Sequence, residues 1–191
     1  MRNTMSEQGL QLCLEAGQSL PVQLCWRISD GYLRATGSTR QADIFTLGIW
    51  GPGEILIPER LPQASLELRA LSAAKIHAWA PRQDEIDAFG TTQIQQLGLF
   101  LQITRLRPAE ERLLNLLIWL SERFGSSCDQ GQSLPLQAMN LTHRQLAEMA
   151  SVSRVTVTKA LGQFRQKGWL LRAGNNELLS NEALSLQRDL H

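Results

Sequence analysis

The stretch LTHRQLAEMASVSRVTVTKALGQFRQKGWLL, residues 141–171, decides the fold of the C-terminal part of this chain. Its polar and apolar positions predict two short amphipathic helices joined by a tight turn. Thr142 is suited to cap the first helix, with Gln145 completing a capping box, and Ser153 is suited to cap the second. The apolar positions that follow the caps are Leu146, Ala147 and Val152 around the turn, and Val157, Ala160, Leu161 and Phe164 in the second helix. Because the caps, the turn and both faces agree, the pattern favours a helix-turn-helix over an ordinary helical hairpin with a solvated basic face.

The opposite face of the second helix is polar and basic. It carries Arg154, Val155, Thr158, Lys159 and Gly162. Guanidinium, ammonium, hydroxyl and methyl groups in these positions are the groups that read major-groove base edges and contact adjacent phosphates. Residues 142–172 hold six basic residues and one acidic residue, a net charge of +5, whereas residues 1–141 have a net charge of −2. A basic patch on a chain with a formal charge of +1 indicates a polyanion bound at one end.

A β-hairpin is predicted to follow the second helix. Lys167-Gly168 ends the helix, and residues 169–172 have the composition of a strand. Gly174-Asn175-Asn176 is a tight-turn sequence, after which residues 177–179 return as a second strand. The hairpin makes this a winged helix-turn-helix, with Asn175 at the tip of the wing as a candidate DNA contact.

The motif Ser153-Arg154-Val155-Thr156-Val157, with a threonine-led helix before it and Gly168 after it, resembles the Crp/Fnr superfamily of bacterial transcription regulators. Residues 154–159 are most similar to the cyanobacterial global nitrogen regulator branch of that superfamily. The chain departs from the family pattern at Ser151, where glycine is usual, and at Val155, which replaces the acid of the cAMP receptor branch. The second departure should change the DNA sequence that is read.

This resemblance implies an α+β fold in three parts. We expect an abbreviated, cyclic-nucleotide-binding-like antiparallel β-roll over residues 1–90. A long dimerisation helix and a hinge should occupy residues 91–107, and the winged helix-turn-helix domain residues 108–191. Independently of the resemblance, short apolar runs separated by glycine and proline favour an antiparallel sandwich or roll. The strands predicted from apolar runs are Leu24–Ile28, Tyr32–Ala35, Ile44–Trp50, Leu66–Leu71 and Ala74–Trp79.

Cyclic nucleotide is not expected to bind. In the resembling family a Gly-Glu pair holds the ribose and an arginine holds the phosphate. Gly53-Glu54 is present, although a simple turn is the favoured interpretation, and the family register puts Ala64 at the arginine position. A buried phosphate without a charge partner would be costly. His77 is interpreted as a structural histidine rather than a haem ligand, and no cofactor or metal is expected.

The segment from Asp84 to Phe124 is predicted to be helical, with a break at Leu106-Arg107-Pro108 because the residue before proline avoids the helical region. Ile94, Leu97 and Leu101 follow a three–four spacing, and Phe100 and Ile103 flank them. A helix that is apolar on more than one face needs a second partner, which favours a homodimer over burial within one subunit. After Pro108 a new helix should direct its apolar side inward, comprising Leu113, Leu114, Leu116, Leu117 and Leu120.

Other classes of protein find little support. No apolar run has the length of a membrane span, and the scattered Cys13, Cys25 and Cys128 favour a reduced, cytoplasmic setting. A phosphate loop, a nucleophile elbow and a ligand-spaced histidine cluster are all missing, so no enzyme is predicted.

The leading hypothesis is a transcription regulator that binds a palindromic promoter site as a homodimer, with RNA polymerase as a further partner and an effector of unknown identity. The residues expected to contact DNA are Thr142, Arg144, Ser153, Arg154, Val155, Thr156, Lys159 and Asn175. The alternative is a protein-interaction module, in which the roll is structural and the winged helix docks on protein.

Overall fold

The computed structural model describes residues 10–41, 43–62, 65–174 and 176–186. The described chain divides into two compact units. One lies within Met1–Gly37 and Leu47–Gln93, and the other within Ser38–Thr46 and Ile94–His191. Antiparallel strands precede the long helices and a further sheet follows them, so the predicted α+β class is confirmed. No helix in these described ranges is long and apolar enough to cross a membrane.

Among the described residues of the N-terminal half, seven short strands build two sheets. They are β1 (Gln11–Leu14), β2 (Cys25–Asp30), β3 (Leu33–Ser38), β4 (Ile44–Trp50), β5 (Ile55–Leu56), β6 (Glu67–Ala70) and β7 (Ala74–Trp79). One sheet has the order β1-β7-β2-β5 and the other the order β4-β3-β6. The pairs β1–β7, β2–β7, β2–β5 and β3–β6 are antiparallel. The strands predicted over Ile44–Trp50 and Ala74–Trp79 have those bounds in the structure, and the other three predicted strands are shifted by up to three residues.

Alternation along β2 shows how this half forms its core. Trp26 and Ile28 are buried, whereas Arg27 between them is half-buried on the other face. The chain then turns at Gly31, which has φ +79°, a region that favours glycine. A Cβ at Gly31 would lie 2.1 Å from the backbone oxygen of Ala73, so the close approach of the two chains also requires glycine.

In the first turn of the long helix α1 (Gln83–Arg105), the carboxylate of Glu85 accepts three hydrogen bonds. Glu85 accepts hydrogen bonds from the backbone N–H of Arg82 at 2.9 Å, from Trp79 Nε1 at 3.1 Å and from Arg27 Nη2 at 2.6 Å. These bonds, first of all the one from Arg82, lower the pKa of Glu85. The start of the helix is thereby tied to the end of β7 and to β2.

Two stripes of residues run along α1, one buried and one exposed, and both contain large apolar side chains. The buried stripe has the heptad-like spacing of four and three residues and comprises Phe89, Gln93, Gln96, Phe100 and Ile103. The second stripe faces outward: Ile94 is 73% exposed, Leu101 is 58% exposed and Leu97 between them is half-buried. The helix ends at Arg105, where the predicted break lies.

The C-terminal half is a winged helix-turn-helix. It comprises α2 (Ala109–Phe124), β8 (Ser127–Cys128), β9 (Gly131–Leu134), α3 (His143–Ala150), α4 (Arg154–Gln166), β10 (Leu170–Ala173), β11 (Asn176–Ser180) and α5 (Asn181–Ser185). All five leucines predicted for the core side of α2 are buried. The wing is larger than the predicted hairpin, since β9 pairs with β11 and extends the sheet to the order β10-β11-β9-β8.

Candidate DNA-binding surface

The first helix of the helix-turn-helix, α3, begins with the predicted capping box. Thr142 Oγ1 accepts from the backbone N–H of Gln145 at 3.2 Å, and the Gln145 side-chain oxygen accepts from the Thr142 backbone N–H at 2.9 Å. The Thr142 hydroxyl also lies 2.9 Å from the same Gln145 oxygen, which can only accept. The hydroxyl of Thr142 therefore both accepts and donates within the cap, so in this arrangement the predicted contact Thr142 has no hydrogen to donate to a phosphate.

The turn between α3 and α4 is made by Ser151 in a left-handed conformation, with φ 50° and ψ 49°. Its backbone N–H donates to Ala147 and Glu148 and closes the end of α3. Arg112 Nη1 of α2 donates to the Ser151 carbonyl oxygen at 2.8 Å. Helix α2 thus supports the turn through Arg112. The turn has serine at the position where the family pattern has glycine.

The recognition helix α4 is fixed by a cap and by a buried face. Ser153 Oγ accepts from the backbone N–H of Thr156 at 3.0 Å, which confirms the predicted N-cap. The residues predicted to face inward are all at most 2% exposed, namely Val157, Ala160, Leu161 and Phe164. As a result Arg154, Val155 and Lys159 lie together on the outward face, and Val155 is 63% exposed.

Salt bridges divide the basic residues of this region into two groups. Arg144 Nε lies 3.1 Å from Glu148 Oε1, one turn along α3, and Arg165 of α4 pairs with Glu177 of the wing. Arg154 and Lys159 form no salt bridge with any residue that the structure describes. Two positive charges without an acidic partner therefore lie together on the outward face of α4, while Lys167 at the end of α4 and Arg172 in β10 also form no salt bridge in the described chain.

The hydroxyls at the start of α4 form a pair. Ser153 Oγ and Thr156 Oγ1 are 2.8 Å apart, and either can be the donor. Two hydroxyls hold two hydrogens, of which one is used between them, so the pair keeps one hydrogen for an external acceptor. The predicted phosphate contacts Ser153 and Thr156 thus provide one donor together. Asn175, the predicted contact on the wing, lies outside the described residues.

One polar link was missed from the sequence. His143 Nδ1 lies 2.9 Å from Thr158 Oγ1 and joins the first turn of α3 to the second turn of α4. The two residues are 15 positions apart, and no spacing rule connects them. The only signal available was that His143 follows the N-cap and Thr158 lies on the polar face.

In the N-terminal half, Gly53-Glu54 closes a turn. Glu54 Oε2 accepts from the backbone N–H of Gly51 at 2.7 Å, and the Glu54 backbone N–H donates to the Gly51 carbonyl at 3.2 Å. The carboxylate is therefore engaged by its own loop, in agreement with the interpretation of this pair as a turn. Ala64, on which the expectation about cyclic nucleotide rests, lies outside the described residues.

Comparison with known proteins identifies relatives of this chain. Residues 111–186 match the Crp-like helix-turn-helix domain. Over 147 residues the chain is 35% identical to the regulatory protein CysR of Synechococcus elongatus, covering 77% of this chain and 71% of CysR. It is 30% identical over 158 residues to the CRP-like cAMP-activated global transcriptional regulator of Mycobacterium tuberculosis, covering 71% of this chain and 66% of that one. The global nitrogen regulator of Nostoc is 32% identical over 77 residues, or 40% of this chain and 33% of its own.

Solved structures agree on the fold. FixK2 from Bradyrhizobium japonicum superposes with a TM-score of 0.72 at 14% identity, covering 94% of this chain and 98% of that one. The protein is thus a DNA-binding transcription regulator with a winged helix-turn-helix. It belongs to the Crp/Fnr family.

The left-handed turn residue generates a stability prediction. Ser151→Gly should stabilise the helix-turn-helix by about 1 kcal/mol, because glycine adopts this conformation without the penalty that a Cβ brings. Amide hydrogen exchange in α3 and α4 should slow by about fivefold. Ser151→Ala is the matched control, since it removes the hydroxyl but keeps the Cβ, and it should not slow exchange. Equal protection in both variants would contradict a conformational penalty at Ser151.

Proposed function

We propose that this regulator binds a palindromic promoter site as a homodimer and does so without cyclic nucleotide. It acts by binding alone, with no catalytic activity, in the cytoplasm where promoter DNA and RNA polymerase are found. The observation that carries this proposal is the outward face of α4, where Arg154 and Lys159 lie beside the exposed Val155.

Base recognition follows from the chemistry of three side chains. Arg154 can donate two hydrogen bonds to guanine O6 and N7, a contact worth about 1–3 kcal/mol of discrimination. Val155 has no acceptor for cytosine N4 but can pack against a thymine methyl group. Lys159, four residues after Val155, reaches a base edge or a phosphate one turn further along. We therefore expect half-sites that contain GT, with centres about 34 Å apart in the dimer.

Phosphate contacts come from the ends of the two helices. Arg144 is 76% exposed, and its salt bridge with Glu148 is of the weak, solvated kind that a phosphate can replace. The remaining hydroxyl hydrogen of the Ser153 and Thr156 pair can donate to one phosphate oxygen. Such contacts fix the position of the protein on DNA without reading its sequence.

The two kinds of contact predict different mutant behaviour. In a randomised-site selection, Arg154→Ala should lose the preference for one guanine, whereas Arg144→Ala should weaken binding to all sequences alike and lower the salt slope by about 0.9. Arg82→Ala is the matched control, because Arg82 is an exposed, salt-bridged arginine of the other compact unit. An unchanged base preference in the sites selected by Arg154→Ala would contradict the assignment of α4 as the recognition helix.

Salt dependence also separates DNA binding from the rival protein-docking role. Phosphate contacts release counterions, so the affinity for duplex DNA should fall steeply as salt rises. A winged helix that docks on protein need not show any affinity for the selected duplex.

Dimerisation is proposed through the outward stripe of α1. Ile94 and Leu101 are large apolar side chains exposed to water on a helix whose other stripe is already buried. An exposed apolar stripe of this kind typically marks a contact with another chain, and the spacing of Ile94, Leu97 and Leu101 suits a parallel helix pair. Two copies would place two recognition helices on one palindrome.

Charge in this stripe should separate the subunits. Sedimentation of the double variant Ile94→Glu and Leu101→Glu should show a monomer that has lost high-affinity DNA binding. The control is Gln95→Glu with Gln102→Glu, which adds the same charge at exposed polar positions of the same helix and should remain dimeric. A monomeric unmodified protein at micromolar concentration would refute the dimer.

Independence of cyclic nucleotide is proposed from the engaged Glu54 and from the alanine at position 64. Titration calorimetry with cAMP or cGMP should detect no saturable binding at micromolar concentration. The Mycobacterium tuberculosis relative, whose name describes it as cAMP-activated, is a suitable positive control. Saturable binding of cAMP to this protein would overturn the proposal.

A further inference from the structure

His143, the first residue of α3, is joined to the recognition helix by a chain of two hydrogen bonds. His143 Nδ1 lies 2.9 Å from Thr158 Oγ1, and the Thr158 hydroxyl donates to the backbone oxygen of Arg154 at 3.1 Å. A hydroxyl has a single hydrogen, and Thr158 uses it on that carbonyl. Thr158 Oγ1 must therefore accept from the imidazole, which places a hydrogen on Nδ1 of His143.

This arrangement decides what each side chain can offer to DNA. Thr158 has no hydrogen left for a phosphate or for an acceptor on a base edge. In the neutral imidazole a hydrogen on Nδ1 leaves Nε2 with a lone pair, which repels a phosphate oxygen. Nε2 is not a buried atom and forms no hydrogen bond within the described ranges. When the ring is protonated, Nε2 becomes a donor while the bond from Nδ1 to Thr158 is kept.

The position of His143 suits an anion. It directly follows the N-cap Thr142, at the end of α3 where the helix dipole is positive. The first helix of a helix-turn-helix crosses the DNA backbone, so its N-terminal residues lie close to phosphates. We propose that His143 binds a DNA phosphate through Nε2 only as the imidazolium, so that DNA affinity rises as pH falls. The proposal deepens the DNA contact proposed above and rests on it.

Charged residues lie on α3, on α4 and on the wing, the elements near His143. On its own helix Arg144 pairs with Glu148, and across a cavity of about 230 Å³ lined by His143, Arg165 pairs with Glu177. On α4, Arg154 lies four residues before Thr158, and Lys159 lies one residue after it. Neither forms a salt bridge with a residue that the structure describes. These two cations are themselves expected to meet phosphates, so bound DNA neutralises their charge.

The test compares DNA affinity at about pH 8 and about pH 6, at constant ionic strength, because histidine changes its charge between these values. For the unmodified protein, fluorescence anisotropy with the selected duplex should show binding about three- to tenfold tighter at the lower pH. The slope of affinity against salt should steepen there by about 0.9, since one more phosphate is neutralised.

His143→Asn keeps a donor for Thr158 but cannot become charged, so its affinity should equal that of the unmodified protein at about pH 8 and should show no gain at about pH 6. His143→Arg should show the steeper salt slope at both values. The chain has three histidines, and His77→Asn and His191→Asn are the controls, which should both retain the full pH response. Nitrogen NMR of the free protein at about pH 8 should show the hydrogen of His143 on Nδ1.

The outcomes separate this inference from the function on which it rests. Equal pH responses in the unmodified protein and in His143→Asn, or a hydrogen on Nε2 in the free protein, would overturn the role of His143 alone. Sequence-specific binding through Arg154 would survive either result. Failure of the unmodified protein to bind any duplex at either pH would overturn both proposals.

Discussion

The burial of one face of α4 is the constraint on which the DNA-binding surface depends. Val157, Ala160, Leu161 and Phe164 are removed from water, and burying each large apolar side chain contributes about 1.5–3 kcal/mol. The Ser153 cap contributes about 1 kcal/mol, and exposed salt bridges such as Arg144–Glu148 contribute less. The rotation of the helix about its axis is therefore set by its apolar side. Because helical spacing ties one face to the other, this burial also turns Arg154, Val155 and Lys159 outward.

Several polar side chains of the same region form hydrogen bonds or salt bridges within the fold and so offer less to DNA. Thr142 uses its hydrogen within the capping box, and Thr158 uses its hydrogen on a backbone carbonyl. Arg165, one of the six basic residues of 142–172, is held by Glu177 of the wing, which lies outside that range. A local charge of +5 thus overstates what the surface presents to a polyanion. The strongest attraction should come from the part of α4 where basic residues have no acidic partner.

Helix α1 has one buried face and one exposed face. Phe100 stacks edge-on against Trp119 of α2 at a centroid distance of 5.2 Å, and Gln93 Nε2 donates to the Leu47 carbonyl at 2.7 Å. These contacts leave the stripe of Ile94 and Leu101 in water. In the proposed dimer, the buried stripe would serve the chain itself and the exposed stripe would contact the second copy, and both stripes have heptad-like spacing. The same geometry explains how Phe100 can be buried while its neighbour Leu101 is exposed.

The sequence by itself determined the elements whose signals are local. The caps Thr142 and Ser153, the two faces of α4, the break after Arg105 and the strands β4 and β7 all depend on residues within a few positions of one another. Spacing also indicated that α1 has two apolar faces. Only the tertiary structure decided that Ile94 and Leu101 are exposed while Phe100 and Ile103 are buried, because periodicity cannot say which stripe meets the chain's own core. It likewise decided the addition of β9 to the wing, the pairing of Arg165 with Glu177 and the bond between His143 and Thr158. The residues of these last two contacts are 12 and 15 positions apart in the sequence. Such partners meet only because two elements pack against each other, and a local sequence pattern does not contain that information.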